Sequence, residues 1–275
     1  MAQERIGFIG AGNMAHSLAG GLLHNGWEKG AIMMADPNPA AGKAIQDHFG
    51  ITVCSDNQAV AATADVLIFA VKPQTLKAVS TALAIILQQK RPLVISIAAG
   101  IRAVDLQRWL GGGLAIVRAM PNMPALVAAG STGLVANQLV SPAQRHLAER
   151  ILQSVGITVW LDHEAQLDAV TALSGSGPAY FFLIMEILEQ SGIKLGLDPA
   201  TARTLTLQTA LGAAKMALES TENTTILRER VTSPGGTTEQ ALKILKNGHL
   251  QDLFDTALRA AAMRADELAA QFGKE

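Results

Sequence analysis

The sequence holds a single cysteine, Cys54, in 275 residues. No disulfide can form within the chain, and a reducing compartment is the expected setting. Cys54 stands in no nucleophile motif, so a buried structural thiol is expected there. Aromatic residues make up 4% of the chain, which leaves Ala, Leu, Ile and Val to build the core. Charged residues are scarce at 16% and nearly cancel, to a formal net charge of −1. That balance offers no electrostatic footprint for nucleic acid or an anionic membrane. The six histidines show no metal-ligand spacing, so no metal site is expected. A basic region followed by an apolar signal core is missing from the first residues. The uncharged stretch 119–144 is cut by Pro121, Pro124, Gly130 and Gly133, which argues against a membrane-spanning helix. The cytoplasm is the expected location.

Apolar residues, by contrast, reach 49%. With so few charges, that load predicts apolar surface covered between subunits. The length suits two domains better than one core. The chain opens with a short apolar run carrying Ile6, Phe8 and Ile9, then Gly10-Ala11-Gly12, then a helical pattern through Leu18, Leu22 and Leu23. The G-x-G-x-x-A spacing has a steric logic. Gly10 permits the turn, Gly12 lets backbone approach a pyrophosphate, and Ala15 lets the helix pack close to the strand. The helix N-terminus offers unpaired N–H groups to the anion. A strand before the glycines and a helix after them is the context that makes this a nucleotide site and not a plain glycine turn.

Further apolar runs alternate with helical patterns. Residues 31–35 read as a second strand ending at Asp36-Pro37-Asn38-Pro39, followed by a helix over 39–49 and a strand at 51–53. Asp56-Asn57 reads as a helix start. The runs 65–71 and 93–100 are almost uninterrupted, as expected of strands covered on both faces. A strand over 114–120 precedes strands at 132–136 and 158–161, expected at the sheet edge, which flank a helix over 142–155. This alternation predicts a Rossmann-like, doubly wound parallel sheet in residues 1–161. Its ligand crevice lies beyond the strand ends, where Gly10, Asp36, Lys72 and Ala98 to Gly100 stand. Asp36 favours the free 2′-hydroxyl of NAD, whereas Asn38, with Lys43 nearby, is an NADP-type signal; a bland alternative is that Asp36 only opens the Pro-Asn-Pro turn. Lys72 could likewise be a solvated residue ending a strand.

Beyond Asp162 no strand is evident, so residues 162–275 are expected to form an all-α domain. Ser174-Gly175-Ser176-Gly177 reads as a linker, hinge or substrate-side wall. The helix from Pro178 through Tyr180, Phe181, Leu183, Ile184, Ile187 and Leu188 is apolar around nearly its whole circumference, which predicts burial inside something larger than one small domain. Helices follow over 201–219, after 221–225, over 239–247 and over 250–272. Too little mass for this apolar load predicts a dimerisation domain.

Taken together, Gly7-Phe8-Ile9-Gly10-Ala11-Gly12-Asn13-Met14, Val71-Lys72-Pro73, Ser96-Ile97-Ala98-Ala99-Gly100, Arg118-Ala119-Met120-Pro121-Asn122, Ser174 to Tyr180 and Ser233-Pro234-Gly235-Gly236-Thr237-Thr238 resemble the pyrroline-5-carboxylate reductases over almost the whole chain. The resemblance implies NAD(P)H-dependent reduction of the cyclic imine 1-pyrroline-5-carboxylate to L-proline, the last step of proline biosynthesis. It implies NADP(H) as cofactor, with NAD(H) as the other candidate because Asp36 stands where NADPH-using members commonly carry an uncharged residue. Cofactor contacts implied are Gly7, Ile9, Gly10, Ala11, Gly12, Asn13 and Met14, with Asp36 and Asn38 at the adenosine ribose and Asn57 at the adenosine. Val71, Lys72, Pro73, Gln74, Ile97, Ala98 and Ala99 are implied on the nicotinamide side. Ser233, Gly235, Gly236, Thr237 and Thr238 are implied to grip the substrate carboxylate, with Thr238 reaching the imine nitrogen as the catalytic residue. A homodimer through the C-terminal helices, or a larger homo-oligomer, is implied as well.

The residues themselves fit that chemistry. Two glycines are expected to expose successive backbone N–H groups, and the helix that follows points its positive end at an anion. The alternative is that Thr237 or Thr238 merely caps the helix at Glu239. A β-hydroxyacid-type dehydrogenase of the same plan calls for a lysine on the first long helix of the second domain, where only the late Lys194 is found. A non-catalytic nucleotide sensor would have no need of the Ser-Pro-Gly-Gly-Thr-Thr turn.

Overall fold

Short apolar runs bounded by glycine, proline and polar residues become the strands of one eight-stranded sheet in the computed structural model, which describes residues 3–274. The strands are β1 (Ile6–Ile9), β2 (Ile32–Ala35), β3 (Thr52–Cys54), β4 (Val66–Phe69), β5 (Leu93–Ser96), β6 (Ile116–Met120), β7 (Gly130–Ala136) and β8 (Gly156–Trp160). Their order is β3-β2-β1-β4-β5-β6-β7-β8. β1, β4 and β5 are buried at every position, which is why they read as unbroken apolar runs.

The sheet departs from the expected one in two ways. It is not wholly parallel, because β7 runs antiparallel to β6. Nor is β7 an edge strand, since it also pairs with β8, which takes the edge. Residues 121–129, with a 3-10 turn at Met123–Val127, make a hairpin-like return where a helical crossover would be needed for a parallel partner.

Helices cover both faces. They are α1 (Asn13–His24), α2 (Pro39–Phe49), α3 (Asn57–Thr63), α4 (Pro73–Lys90), α5 (Ala103–Trp109) and α6 (Pro142–Gln153). Several begin as their sequences dictate. The Asn38 side chain accepts from the Ala40 N–H ahead of Pro39, Asp56 accepts from Gln58, and Ser141 and Gln144 form a reciprocal capping box. One aliphatic core gathers Phe8, Leu18, Leu22, Ile68 and Ile151. The other gathers Ile9, Val60, Leu67, Phe69, Leu83 and Trp109.

The chain then continues as α7 (Gln166–Val170), a π-turn (Thr171–Gly175), α8 (Gly177–Lys194), α9 (Pro199–Glu219), α10 (Thr224–Arg230), α11 (Thr237–Asn247) and α12 (Leu250–Lys274). Ser174 and Gly175 end the π-turn, Ser176 is a one-residue bend with right-handed dihedrals, and Gly177 starts α8, so the stretch is not an open linker. Two compact units result: residues 1–176 with 260–275, and residues 177–259. The compact units divide the chain elsewhere than at the expected 161/162. Residues 162–176 belong with the sheet, and the end of α12 returns to it, with Phe272 in the core beside Ile101 and Leu106. Arg102 pairs with Asp266 at 2.7 Å, and Arg108 donates to the Gly273 carbonyl at 2.7 Å, so this return is polar as well as apolar.

Among the described residues from 177 to 259, only Gly177 and Ala202 are buried. Phe181, Phe182, Leu183, Ile187 and Leu188 of α8 are all more than half exposed in the single chain. By length and composition the span Gln166–Lys194 would suffice to cross a membrane.

Candidate functional site

The strand order reverses direction between β1 and β4, and that switch point is where a doubly wound sheet binds its ligand. The strand ends are drawn into one row. Ile9 pairs in register with both Ala35 and Phe69, and the ladder runs on past them. Gly10 N–H donates to Ala35 O at 2.7 Å, Ala70 N–H to Ile9 O at 2.8 Å, and Ile97 N–H to Phe69 O at 3.2 Å. Gly10, Asp36, Ala70 and Ile97 therefore stand side by side at the carboxyl edge, with Val71 to Gln74 and Ala98 to Ala99 just beyond.

The glycine-rich turn meets the steric requirements of a dinucleotide. Gly10 has φ of +102°, and a Cβ there would lie 2.6 Å from the Ala70 carbonyl oxygen. Only glycine fits that position. Gly12 caps α1 with no side-chain hydrogen bond, and a Cβ on it would meet nothing within 4 Å. The turn is thus open at the point where a pyrophosphate must approach, and the first N–H groups of α1, at Asn13 and Met14, face it without an intrahelical acceptor. A nicotinamide dinucleotide fits the residues present.

Three of the expected cofactor residues also have structural tasks. Gly7 lies inside β1, where a Cβ would come within 2.6 Å of Val60 Cγ1, so glycine is needed there for α3 to pack on the sheet. Ile9 is fully buried in the core and offers no side chain to the crevice. Ala11 donates its N–H to Asp36 Oδ2 at 2.8 Å, so that donor is already committed. The other Asp36 oxygen accepts from the Asn38 N–H at 2.8 Å. Beside them a groove is lined by Asp36, Asn38, Lys43, Gln46, Cys54 and Ser55, on the side where the adenosine ribose is expected. Cys54 is half-buried, its thiol donating to the Asp56 carbonyl, which places it on the groove wall and not in the core. Asn57 is the first residue of α3, next to this groove in sequence. Lys72 is exposed and precedes α4 without capping it by its side chain.

Near the turn, His16 of α1 packs against His48 and Phe49, with ring centroids 5.3 and 4.6 Å away. Burial first, and the neighbouring His48 second, hold the His16 imidazole below its ordinary value.

Two side chains carry roles that their sequence motifs do not assign. Asn122, buried two residues after β6, donates to Ser131 Oγ at 3.0 Å and to the Ser174 carbonyl at 2.9 Å, while its oxygen accepts from the Ser131 N–H. It thereby ties β6 and β7 to the π-turn. A Cβ at Gly175 would lie 2.7 Å from Met120 Cε, so the π-turn packs closely on the same strand end. The second is Glu239, in the first turn of α11. A third cluster joins buried Arg118 to Glu164, which also accepts the Ala103 N–H at the start of α5. Asp168 lies beside this pair. Burial pushes its carboxyl above the usual range, and Asp266 and Glu164 reinforce that, against the opposing charges of Arg118 and Arg102.

Ser233 to Thr238 stand on the other unit as a set of their own. The expectation of two free glycine N–H groups is overturned. Gly235 donates to Glu239 Oε2 at 2.7 Å, and Gly236 donates to the Ser233 carbonyl at 3.0 Å. The turn uses these bonds to hold its own shape, with Gly235 at φ of +73°. The donors left for an anion are those of the first turn of α11, beginning at Thr237 and Thr238. Gly236 is the N-cap, with no side-chain cap, so the capping role weighed for Thr237 and Thr238 is filled by neither hydroxyl. The signal for Glu239 was present, four residues after Gly235, as an acid in the first turn of a helix.

Residues 164–268 match the family model described as pyrroline-5-carboxylate reductase dimerisation, and residues 5–100 match the one described as NADP oxidoreductase coenzyme F420-dependent. The chain is 51% identical over 274 residues to a pyrroline-5-carboxylate reductase of Pseudomonas aeruginosa, covering 100% of both chains. A solved pyrroline-5-carboxylate reductase of Coxiella burnetii superposes with a TM-score of 0.94 at 46% identity, over 98% of this chain and 99% of that one. A Plasmodium falciparum pyrroline carboxylate reductase, solved with NADP bound, gives a TM-score of 0.86 at 29% identity, over 98% and 99%. With the glycine-rich turn at the sheet's switch point and a relative matched end to end at that identity, this chain belongs to the pyrroline-5-carboxylate reductase family.

Proposed function

We propose that the protein reduces the C=N bond of 1-pyrroline-5-carboxylate to give proline, with NADPH as the hydride donor. Family membership carries this reading, and the Ser233–Thr238 turn is the feature of the chain that fits the substrate. A protonated cyclic imine is already electrophilic, so the protein's task is orientation, a carboxylate anchor and support for the charged nitrogen. Bound reduced nicotinamide supplies the hydride. The first N–H groups of α11 would take the substrate carboxylate, on a turn that Glu239 and Ser233 hold rigid. The Thr238 hydroxyl, which does not cap its helix, would bond the ring nitrogen. The preference for NADPH over NADH is supported by the matched NADP family model, the NADP-bound relative, and Lys43 beside the ribose groove.

The working form in this reading is a homodimer built through the C-terminal helices. Supporting it are the matched dimerisation model and the exposed apolar surface of α8. That surface faces a second copy and not lipid, and the protein works in the cytoplasm; larger assemblies of dimers are the further step.

Oxidation of NADPH and NADH by the purified protein, followed by nicotinamide absorbance with and without the imine, tests the reaction and the preference. Turnover with NADPH is expected, and none with either cofactor would overturn the proposal. Thr238→Ala is expected to lower kcat by about 10- to 100-fold, the worth of one hydrogen bond to a charged group, with cofactor affinity unchanged. An unaltered kcat would remove Thr238 from the chemistry. Sedimentation in plain buffer is expected to show a dimer or its multiples; a monomer, or a need for detergent, would overturn the assembly.

A further inference from the structure

We propose that Asp36 is a positioning residue for the pyrophosphate-binding turn, serving NADPH and NADH alike, and not the reader of the ribose 2′-position. This rests on the proposed use of a nicotinamide dinucleotide. An acid at the end of the second strand is ordinarily assigned to the ribose hydroxyls and taken as a sign of NAD. In this protein both oxygens of that acid already serve the backbone. Oδ2 accepts from Ala11 N–H at 2.8 Å and Oδ1 from Asn38 N–H at 2.8 Å.

The two bonds join two pieces of the cofactor site. Ala11 is the middle residue of Gly10-Ala11-Gly12, whose first glycine is pinned to β2 through its N–H and pressed against the Ala70 carbonyl. Its N–H would otherwise be free to swing the peptide plane, and with it Gly12 and the start of α1. On the other side, Asn38 caps α2 through its side chain and lines the ribose groove with Lys43. The Asp36 backbone is itself fixed, its N–H donating to Cys54 O at 3.0 Å. The carboxylate is therefore a brace, anchored on the sheet, that holds the pyrophosphate turn and the ribose loop at a set distance. Both bonds are charge-assisted, the stronger kind.

The brace also removes a contradiction. A carboxylate left free in the groove would repel a 2′-phosphate, whereas one whose charge is shared between two N–H donors on its protein side does so less. Acidity at this position and use of NADPH are then compatible.

The two roles separate in binding measurements. Dissociation constants for NADPH and NADH are measured by fluorescence of the bound reduced nicotinamide, on the whole protein without imine, for wild type, Asp36→Ala and Asp36→Asn. With the brace removed, Asp36→Ala is expected to weaken both cofactors by about tenfold, the order of one charge-assisted hydrogen bond. The NADPH-to-NADH ratio of dissociation constants is expected to stay within about fivefold of wild type, about 1 kcal/mol. Asp36→Asn keeps one acceptor oxygen and is expected to fall between, again for both cofactors; it carries the test alone if the alanine variant does not fold. A ratio shifted by more than that, through loss of NADH binding with gain of NADPH, overturns the brace, as does unchanged binding of both. Wild-type protein that binds neither cofactor would sink this inference with the proposed function. Binding without imine reduction would sink the reaction alone.

Discussion

The two units spend their apolar residues in opposite ways. In the sheet unit Phe8, Phe69, Leu18 and Leu67 have no exposed surface at all. In the unit from 177 to 259, Phe181 and Phe182 are 65% and 66% exposed, and Leu211 is 62% exposed. Apolar burial at roughly 25 cal/mol per Å² is the main favourable term in folding, so the second unit lacks in one chain what the first possesses. The difference teaches that this sequence encodes one core that closes on itself and a second whose apolar surface stays open in the single chain, for the proposed dimer to cover.

The largest break in that comparison should come from a charge in the second core. In the proposed dimer, where α8 is covered by a second copy, Phe182→Asp would bury an unpaired carboxylate, costing on the order of 3–5 kcal/mol, and should convert the dimer to monomer. Sedimentation should show it, with loss of helical circular dichroism and of activity. Phe8→Ala, at a fully buried site of the sheet unit, should cost about 3–5 kcal/mol of stability and leave the oligomeric state alone. A Phe182→Asp protein that stays dimeric would erase the distinction.

Within the sheet unit two glycines sharpen it further. Gly10→Ala places a Cβ 2.6 Å from a carbonyl oxygen at a positive φ, and should lower the melting temperature as well as binding, at about 1–3 kcal/mol for the backbone strain alone. Gly12→Ala meets no protein atom within 4 Å. It should melt like wild type yet bind NADPH at least about tenfold more weakly, because its methyl occupies pyrophosphate space. Equal melting losses in the two would overturn this assignment.

These contrasts also mark what the sequence disclosed. Elements bounded by local chemistry were legible, α2 from Pro39 to Phe49 and the Asp56 cap among them. Strand runs were read too long, 65–71 against Val66–Phe69, because an apolar run continues into the crevice after the ladder has stopped pairing. The direction of β7 was not legible, since alternation is the same in either sense. Ser174 to Gly177 has a linker's composition, and the contact that sets it apart comes from Asn122, distant in sequence, which donates to the Ser174 carbonyl. At the site, residue types were legible and the use of each donor was not. Ala11, Gly235 and Gly236 carry the right N–H groups, but whether a neighbour has claimed them is decided by the fold.

The substrate turn offers a smaller test. Having little core to support it, it is held by local bonds, chiefly Glu239 to Gly235. Glu239→Ala should raise KM for the imine about three- to tenfold, the net worth of one such bond. Cofactor affinity should be untouched and Glu239→Gln should recover part of the loss. A change in cofactor binding instead would mean that the turn does not act on the substrate alone.

The smallest effect concerns pH and should be confined to the sheet unit. His16 has a folded-state value below the ordinary 6.5, from burial first and His48 second. As pH falls through that ordinary value the unfolded chain takes the proton before the folded one does. Unfolding therefore binds protons, and stability declines toward acid. Between about pH 7.5 and about pH 5.5, wild type should lose about 1–2 °C more in melting temperature than His16→Gln. His48→Gln should shrink that excess without abolishing it, because burial is the larger cause. Where the two units melt in separate steps, only the transition of the sheet unit should carry the difference. A dependence that moves with dimer dissociation instead would shift its origin to the helical unit.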